Sequence, residues 1–256
     1  MTVHVGTSGW QYASWRGAFY PPDVAQRRWL EHYAERFACV EVNNTFYSLP
    51  TEETVRRWRE STPTDFRFVV KASRYLTHVR RLREPAGPVK LLLERVRPIR
   101  RRLAAVLVQL PPRFHAEPAR LAAALRAFPR TLQIAVEFRD PTWFNDDVRD
   151  VLHQYGAALC IADHRGERAE PDWSTASWEY VRFHEGDADP HPCYRRETLD
   201  TAAERLAPRL HGGRDAFVFF NNDERACALH DASVFARACT VRGLPSTRTP
   251  DAGQFM

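Results

Sequence analysis

QIAVEFRDPTWFNDDVRDVLHQYGAALCIA, residues 133–162, holds one full turn of the plan on which the chain is built. A short strand over 133–138 leads to a helix over 146–155, where Val148, Val151, Leu152 and Tyr155 recur at i, i+3, i+4 and i+7. A second strand follows at 158–162. The alternation continues toward the N-terminus. Strand 3–7 precedes helix 24–37, which places Trp29, Tyr33 and Phe37 four apart with Asp23 as a candidate cap. Strand 39–43, a short helix 52–60 behind Thr51, strand 66–71, helix 88–102, strand 104–110 and helix 118–128 complete that half. Glu52 and Glu53 stand favourably in the first turn of the short helix. Toward the C-terminus the rhythm lapses once. Residues 164–178 are polar and carry no helical pattern, after which strand 179–184, helix 200–210, strand 216–221 and helix 224–240 resume it.

Strands that alternate with helices predict a parallel sheet. Eight such units in about 240 residues, a size typical of the fold, predict an α/β chain closed into a TIM-type (β/α)8 barrel, with the helix after the sixth strand missing or degenerate. An open doubly wound sheet is the competitor. No GxGxxG or GxxxxGK[ST] follows any strand, so the nucleotide-binding devices of such sheets are absent. No repeat or interior linker divides the sequence, which predicts one domain over 1–243 and a flexible polar tail over 244–256.

Hydrophobic residues make up 44% of the 256 and charged residues 27%, a globular balance that argues against a chain disordered throughout. The longest apolar runs, such as 103–110, fall far short of the roughly 18 residues that span a bilayer, so no membrane partner is expected. The opening MTVHVGTSGW has neither a basic nor an apolar leader region, and a cytoplasmic location is expected. Five cysteines, an odd number without a CxxC pair, are read as reduced and mostly buried thiols. The net charge of +5 is uneven: residues 74–102 hold ten basic side chains against two acids, a local +8, and the remainder sums to −3. Such a run is either a solvated helix face or a phosphate-binding one. Of 37 basic residues only Lys71 and Lys90 are lysine, so a lysine can mark a place where a guanidinium does not serve.

In a barrel of this type ligands bind at the C-terminal ends of the strands. Seven of the eight predicted strands end in a polar or charged residue there, and three carry a same-face pair two residues apart: Glu41 with Asn43, Glu137 with Arg139, and Arg182 with His184. Lys71, Gln109, Asp163 and Asn221 close four of the others. Any one of these is ordinary, but converging buried charges are costly unless paired or used. The loops beyond the strands are aromatic. Trp10, Tyr12, Trp15, Phe19, Tyr20, Phe46, Tyr47, Tyr75, Trp143, Phe144, Trp173 and Trp178 form either a lid packed on itself or a platform for sugar rings or bases.

The stretches VGTSGWQYASWRGAFYP (5–21), EVNNTFYSLP (41–50), VKASRYLTH (70–78), QLPPRF (109–114), VEFRDPTWF (136–144), VRFHEG (181–186) and FFNND (219–223) resemble, in order, the YecE-like proteins, the domain of unknown function 72. The resemblance runs from residue 3 to about 240 and implies a TIM-type barrel. The family has no established activity, so it implies no reaction. It points to Glu41, Asn43, Lys71, Glu137, Arg139, Arg182, His184 and Asn221 as the shared site. Two places depart from the pattern. Glu185 separates His184 from Gly186 where the family usually has His-Gly, and Leu103-Ala104-Ala105 stands for Leu-Gly-Pro.

The sequence favours an enzyme that applies acid–base chemistry to a small anionic, phosphorylated or sugar-like substrate. Lys71, Arg139 and Arg182 would hold the anion, with the turn Asn221-Asn222-Asp223 offering amides at the start of the last helix. Glu41, Glu137 and His184 would move protons, Lys71 would act as a base or amine nucleophile, and Asn43, Asn221, Trp10 and Tyr47 would line the pocket. No metal is assigned, since Glu41, Glu137, Asp163 and His184 offer only one strand-end histidine, and no cofactor is specified. Ser8 lies outside any nucleophile elbow. Two other readings fit the same residues: a nucleic-acid-binding or -processing protein using 74–102 and the aromatics, and a non-catalytic ligand sensor. Oligomeric state is not written in the sequence.

Overall fold

A computed structural model describes residues 1–255. Eight parallel strands close in sequence order: β1 (Val3–Thr7), β2 (Cys39–Val42), β3 (Arg67–Lys71), β4 (Leu103–Gln109), β5 (Gln133–Glu137), β6 (Ala158–His164), β7 (Trp178–Glu185) and β8 (Asp215–Phe220). Closure is made by β8 on β1, with Val3 opposite Ala216 and Val5 opposite Val218. Helices α1 (Trp29–Arg36), α2 (Asn44–Tyr47), α3 (Glu52–Glu60), α4 (Ala86–Arg95), α5 (Pro118–Arg126), α6 (Asp146–Tyr155), α7 (Arg196–Leu206) and α8 (Cys227–Val241) surround it. No helix among the described residues is long and apolar enough to cross a membrane.

Alternate strand residues face alternate sides. The inward set, Cys39, Val69, Ala105, Leu107, Ala135, Ala158, Cys160, Trp178, Tyr180, Phe217 and Phe219, forms its own buried cluster inside the barrel. The outward set joins the helices in a larger core. The same parity turns Glu41, Lys71, Gln109, Glu137, Arg182 and, past the strand ends, Arg139 and Asn221 toward the barrel axis. Local chemistry fixes the helix ends: Thr51 caps α3 by accepting from the Thr54 amide at 3.1 Å, and Asn145 caps α6 by accepting from Val148 at 3.0 Å.

No helix connects β6 to β7, as the polar run 164–178 predicts. Thr175 pins that segment to the barrel instead, donating to the Ala157 carbonyl at 2.7 Å and accepting from the Leu159 amide at 3.0 Å. The extra residue Glu185 is absorbed as a bulge. Asp163 pairs with Phe183 and His164 with Glu185, so His184 is skipped by the ladder.

Several sequence expectations are corrected. Asp23 caps nothing; residues 26–28 form a tight turn led by Ala25, and α1 starts at Trp29. The helix expected over 88–102 stops at Arg95, because Pro98 restrains the residue before it, and a short 3-10 turn over Arg97–Ile99 follows. The last helix starts at Cys227, not 224, because Arg225 and Ala226 adopt left-handed φ of 54° and 60°. Trp178 is no loop residue but opens β7. Two of the cysteines are not thiols: Cys193 and Cys227, 34 residues apart, form a disulfide that straps the loop after β7 to α8, and Cys39, Cys160 and Cys239 stay free and buried.

The tail, expected to be loose from Leu244, is tied down. Leu244 is buried, the Val3 amide donates to Pro245 and Thr247 donates back to Val3, and Arg248 pairs with Asp65 while Phe255 meets Phe19. One buried leucine at about 1.5–3 kcal/mol and two backbone hydrogen bonds at about 1 kcal/mol each set the scale. Removing residues 244–256 should therefore lower unfolding free energy by about 3.5–5 kcal/mol in urea titration, whereas a free tail would leave the midpoint unmoved.

Candidate functional site

The strand ends carry two tiers of polar side chains. The lower tier is sealed. Glu41, Glu137 and Arg182 are each at most 1% exposed, and Arg182 lies between the two carboxylates, donating to Glu41 Oε1 at 2.7 Å and to Glu137 Oε2 at 2.6 Å. Tyr180, two residues before Arg182 and on the same face, donates its hydroxyl to the other Glu41 oxygen at 2.5 Å. Two carboxylates and one guanidinium thus share a buried volume, which is tolerable only because each is paired in place. Burial acts to raise the Glu137 pKa, but Arg182, His184 and Arg139 outweigh it and hold the carboxyl well below its ordinary range.

The upper tier reaches solvent. Arg139 pairs with the remaining Glu137 oxygen and places its two terminal nitrogens 3.0 Å from His184 Nε2 and 3.0 Å from His164 Nε2. The two imidazoles stack 4.7 Å apart at 10°. His184 Nδ1 is 3.2 Å from the Asn221 amide nitrogen, Asn221 Oδ1 accepts from Asn43 at 3.3 Å, and Asn43 also donates to the Ser8 carbonyl at 3.3 Å. This chain runs across the mouth from β1 to β5. Nε2 of the His184 ring faces two opposite neighbours, the Arg139 guanidinium, which donates, and Glu137 Oε1 at 3.3 Å, which accepts, so its surroundings ask for both tautomers. Burial, only partly offset by Glu137, lowers the His184 pKa to about 4, so the ring is neutral at pH 7.

Lys71 stands apart. Its ammonium lies 4.5 Å from the centre of the Phe46 ring, while Glu41 and Glu137 are taken by Arg182, Arg139 and His184. Among the described residues it enters no ion pair within 4.0 Å. Burial first, and then the field of Arg182, lower its pKa to about 8. A lysine in that state is both a compact point charge and an amine that titrates near neutrality.

The geometry thus divides the residues expected at the site. Lys71, Arg139, His184, Asn43 and Asn221 meet at the mouth. Glu41 and Arg182 lie beneath it, and Arg182 is corrected as an anion ligand because both carboxylates already occupy it. Trp10 is also corrected: it is 4% exposed and packs edge-on against Trp58 at 5.6 Å. Trp15 and Trp143 are fully buried, so much of the aromatic collar is a lid packed on itself, and Tyr47, 79% exposed, and Tyr75, 54% exposed, are the large exceptions. The amides expected at Asn221–Asp223 do not open α8 directly, since Asn222 is buried, its amide nitrogen donating to Pro192 and Asp231, before the left-handed pair intervenes. Asp163 faces away from the axis and accepts from the Gly166 amide at 3.0 Å. Among the described residues, no cluster of three or more His, Cys, Asp or Glu side chains is arranged to hold a metal ion. His164 was missed because its strand was read as ending at Ala162; the parity Cys160, Ala162, His164 was the available signal. A cavity of about 940 Å³ lies on the flank between α7, α8 and the tail and touches none of these residues.

Comparison with known proteins places the chain. The family model described as "Protein of unknown function DUF72" matches residues 4–254. The UPF0759 protein YecE of Escherichia coli K12 is 33% identical over 182 residues, covering 68% of this chain. The match spans 64% of YecE, less than two thirds of that relative's length. The UPF0759 protein YunF of Bacillus subtilis is 25% identical over 254 residues, 86% of this chain and 89% of YunF. The crystal structure of a DUF72 family protein from Thermotoga maritima superposes with a TM-score of 0.81 at 26% identity, covering 93% of this chain and 98% of that one. An Enterococcus faecalis DUF72 structure at 19% identity, with a TM-score of 0.76 over 93% and 96% of the two chains, shares the fold. On the extent of the family match, which takes in nearly the whole chain, this barrel belongs to the DUF72 family.

Proposed function

We propose that this barrel is an enzyme that binds a small anionic, phosphorylated or sugar-like substrate at its strand-end mouth and works on it by proton transfer. Lys71 carries the reading. It is the mouth cation whose charge no carboxylate cancels, it is half-buried beside an aromatic face, and its pKa of about 8 suits both anion binding and proton exchange. Arg139 would add a second donor, and neutral His184, oriented by Asn221 and Glu137, would give or relay a proton. Glu41 and Arg182 would hold that machinery from below instead of touching substrate, so the acid–base role read for Glu41 becomes one of positioning. The test is binding of inorganic phosphate and of sugar phosphates, by calorimetry and thermal shift, followed by turnover of whichever binds. Binding without turnover of any of them would leave a ligand sensor.

One observation favours the nucleic-acid reading: seven of the ten basic side chains in 74–102 are exposed. They lie on the β3–α4 crossover, on α4 and on the turn after it, and the segment's acids Glu84 and Glu94 already pair with Arg80 and Lys90. Charge reversal at Arg97, Arg100 and Arg101 should leave phosphate binding within about twofold of wild type. A submicromolar affinity for DNA or RNA that falls steeply with salt and is lost on that reversal would instead favour the nucleic-acid reading.

A further inference from the structure

Beside the mouth, between the ends of β5 and β6, lies a cleft of about 480 Å³, within the range of small-ligand sites. Phe138 and Phe144 form its apolar wall, and Arg139, His164, Arg168 and Glu170 supply its polar atoms. Glu170 is 8% exposed, yet its Oε2 has no hydrogen-bond partner. The Nε of Arg139 is likewise buried and unpartnered. Buried polar atoms are paired in the great majority of cases, and Arg139 and Glu170, which line this one cleft, each keep an unpaired buried atom and so hydrogen-bonding capacity in reserve. The cleft is continuous with the mouth, because Arg139 and His164 belong to both and His164 stacks on His184.

We propose that this cleft is a subsite for a hydroxylated ring, so that the substrate class is a sugar phosphate: the phosphoryl group on Lys71 and the ring over Arg139 against Glu170. The assignment of the phosphoryl group rests on the reading of the mouth given above; the cleft itself does not.

The chemistry of the lining selects such a ring. Hydroxyl groups both donate and accept, and the cleft offers both partners: guanidinium N–H groups that donate, and a carboxyl that accepts or, when protonated, donates. Burial pushes the Glu170 pKa up to about 7, so both forms of the carboxyl are present near neutrality. Glu137 and Arg139 act on it most directly, Arg168, Glu167 and Asp140 also line the cleft, and the His164 pKa is lowered by burial and by Arg139. The half-buried Phe144 ring complements the C–H surface of a pyranose or furanose ring; Phe138, 2% exposed and stacked on Trp143, supports it from beneath, and Trp173 backs it at 6.4 Å. A lipid tail or a bare nucleobase would leave the carboxyl and the arginine Nε unsatisfied.

The experiment compares inorganic phosphate, a panel of hexoses and their phosphates on wild type, Glu170→Ala and Phe144→Ala, by calorimetry and saturation-transfer NMR. At least one hexose phosphate should bind wild type tenfold or more tightly than inorganic phosphate. Glu170→Ala should abolish that advantage while phosphate affinity stays unchanged. Because the substitution removes a buried carboxyl with one unpartnered oxygen, it should change the melting temperature little; if it fails to fold, Phe144→Ala, which removes part of the wall, gives the same reading. Phosphate binding with no added affinity for any hexose phosphate, or an advantage that survives both variants, overturns the cleft and leaves the mouth. Hexose binding that is lost in Glu170→Ala, with no phosphate binding, overturns the mouth and keeps the cleft. Binding of none of the three overturns both.

Discussion

Arg182→Met should cost the barrel about 3–5 kcal/mol of stability, the scale of breaking a buried ion pair by removing one partner. The guanidinium bridges carboxylates on β2 and β5 from β7, and nothing else among the described residues can replace it at Glu41, whose remaining partner is the Tyr180 hydroxyl. Methionine fills much of the volume but leaves two anions in a dry interior. Adding Glu41→Gln to Arg182→Met should recover part of the loss, since an amide still accepts from Tyr180 and carries no charge. The acid limb provides a second check. In the wild type the Glu137 pKa is depressed, so its contribution is present above the unfolded value of 4.5 and is lost as pH falls through the folded one. Without Arg182 that depression shrinks, and stability should fall less steeply on acidification below about pH 4.5. Urea titrations at several pH values read both effects. Equal stability in the variant, or an unchanged acid limb, would show that the triad is not what holds the lower tier.

The same triad shows what a sequence of this kind makes legible. The spacing of two between Glu41 and Asn43, Glu137 and Arg139, and Arg182 and His184 states which residues share a face, because strand parity is local. The alternation of strands and helices states a parallel sheet, and eight strands joined by seven crossovers in about 240 residues state its closure into a barrel. Pairing is not local. Arg182 meets Glu137 from 45 residues away and Glu41 from 141, and only closure of the ring decides that it serves them and not a ligand. The aromatic collar was ambiguous for a related reason: burial of Trp10, Trp15 and Trp143 depends on how loops fold over one another, and composition is the same for a lid and a platform. The disulfide depends on two loops meeting across 34 residues, which an odd cysteine count obscures. His164 is hidden because the polar run that follows makes β6 read as ending at Ala162, two residues short of its true end.

Lys71→Arg should keep the fold and weaken binding of the mouth anion by at least about tenfold, equivalent to about 1.4 kcal/mol. An arginine can satisfy the charge but not the space, because its planar fork is larger than an ammonium and the position is hemmed by the Phe46 ring, 4.5 Å from Nζ, with Arg182 and Arg139 among the charges that act on it. The pH dependence separates this from simple crowding. Burial and Arg182 depress the lysine pKa from 10.5 to about 8, with Glu41 and Glu137 opposing and Arg139 assisting. The folded state therefore binds fewer protons at this site than the unfolded one between about pH 8 and 10.5, and the group's contribution to stability rises with pH across that window. Anion affinity moves the other way, since the amine that holds the anion becomes neutral above about pH 8. Wild-type affinity for phosphate should decline as pH passes 8, and the decline should vanish in Lys71→Arg, whose guanidinium stays charged. Lys71→Met should lose the affinity outright while gaining stability at pH 7, where the half-buried ammonium is a cost. Calorimetric titration of phosphate at pH 6.5, 7.5, 8.5 and 9.5 on the three proteins decides it. A Lys71→Arg protein with wild-type affinity and the wild-type pH profile would mean that the charge resides elsewhere, and that the lysine is an accident of composition.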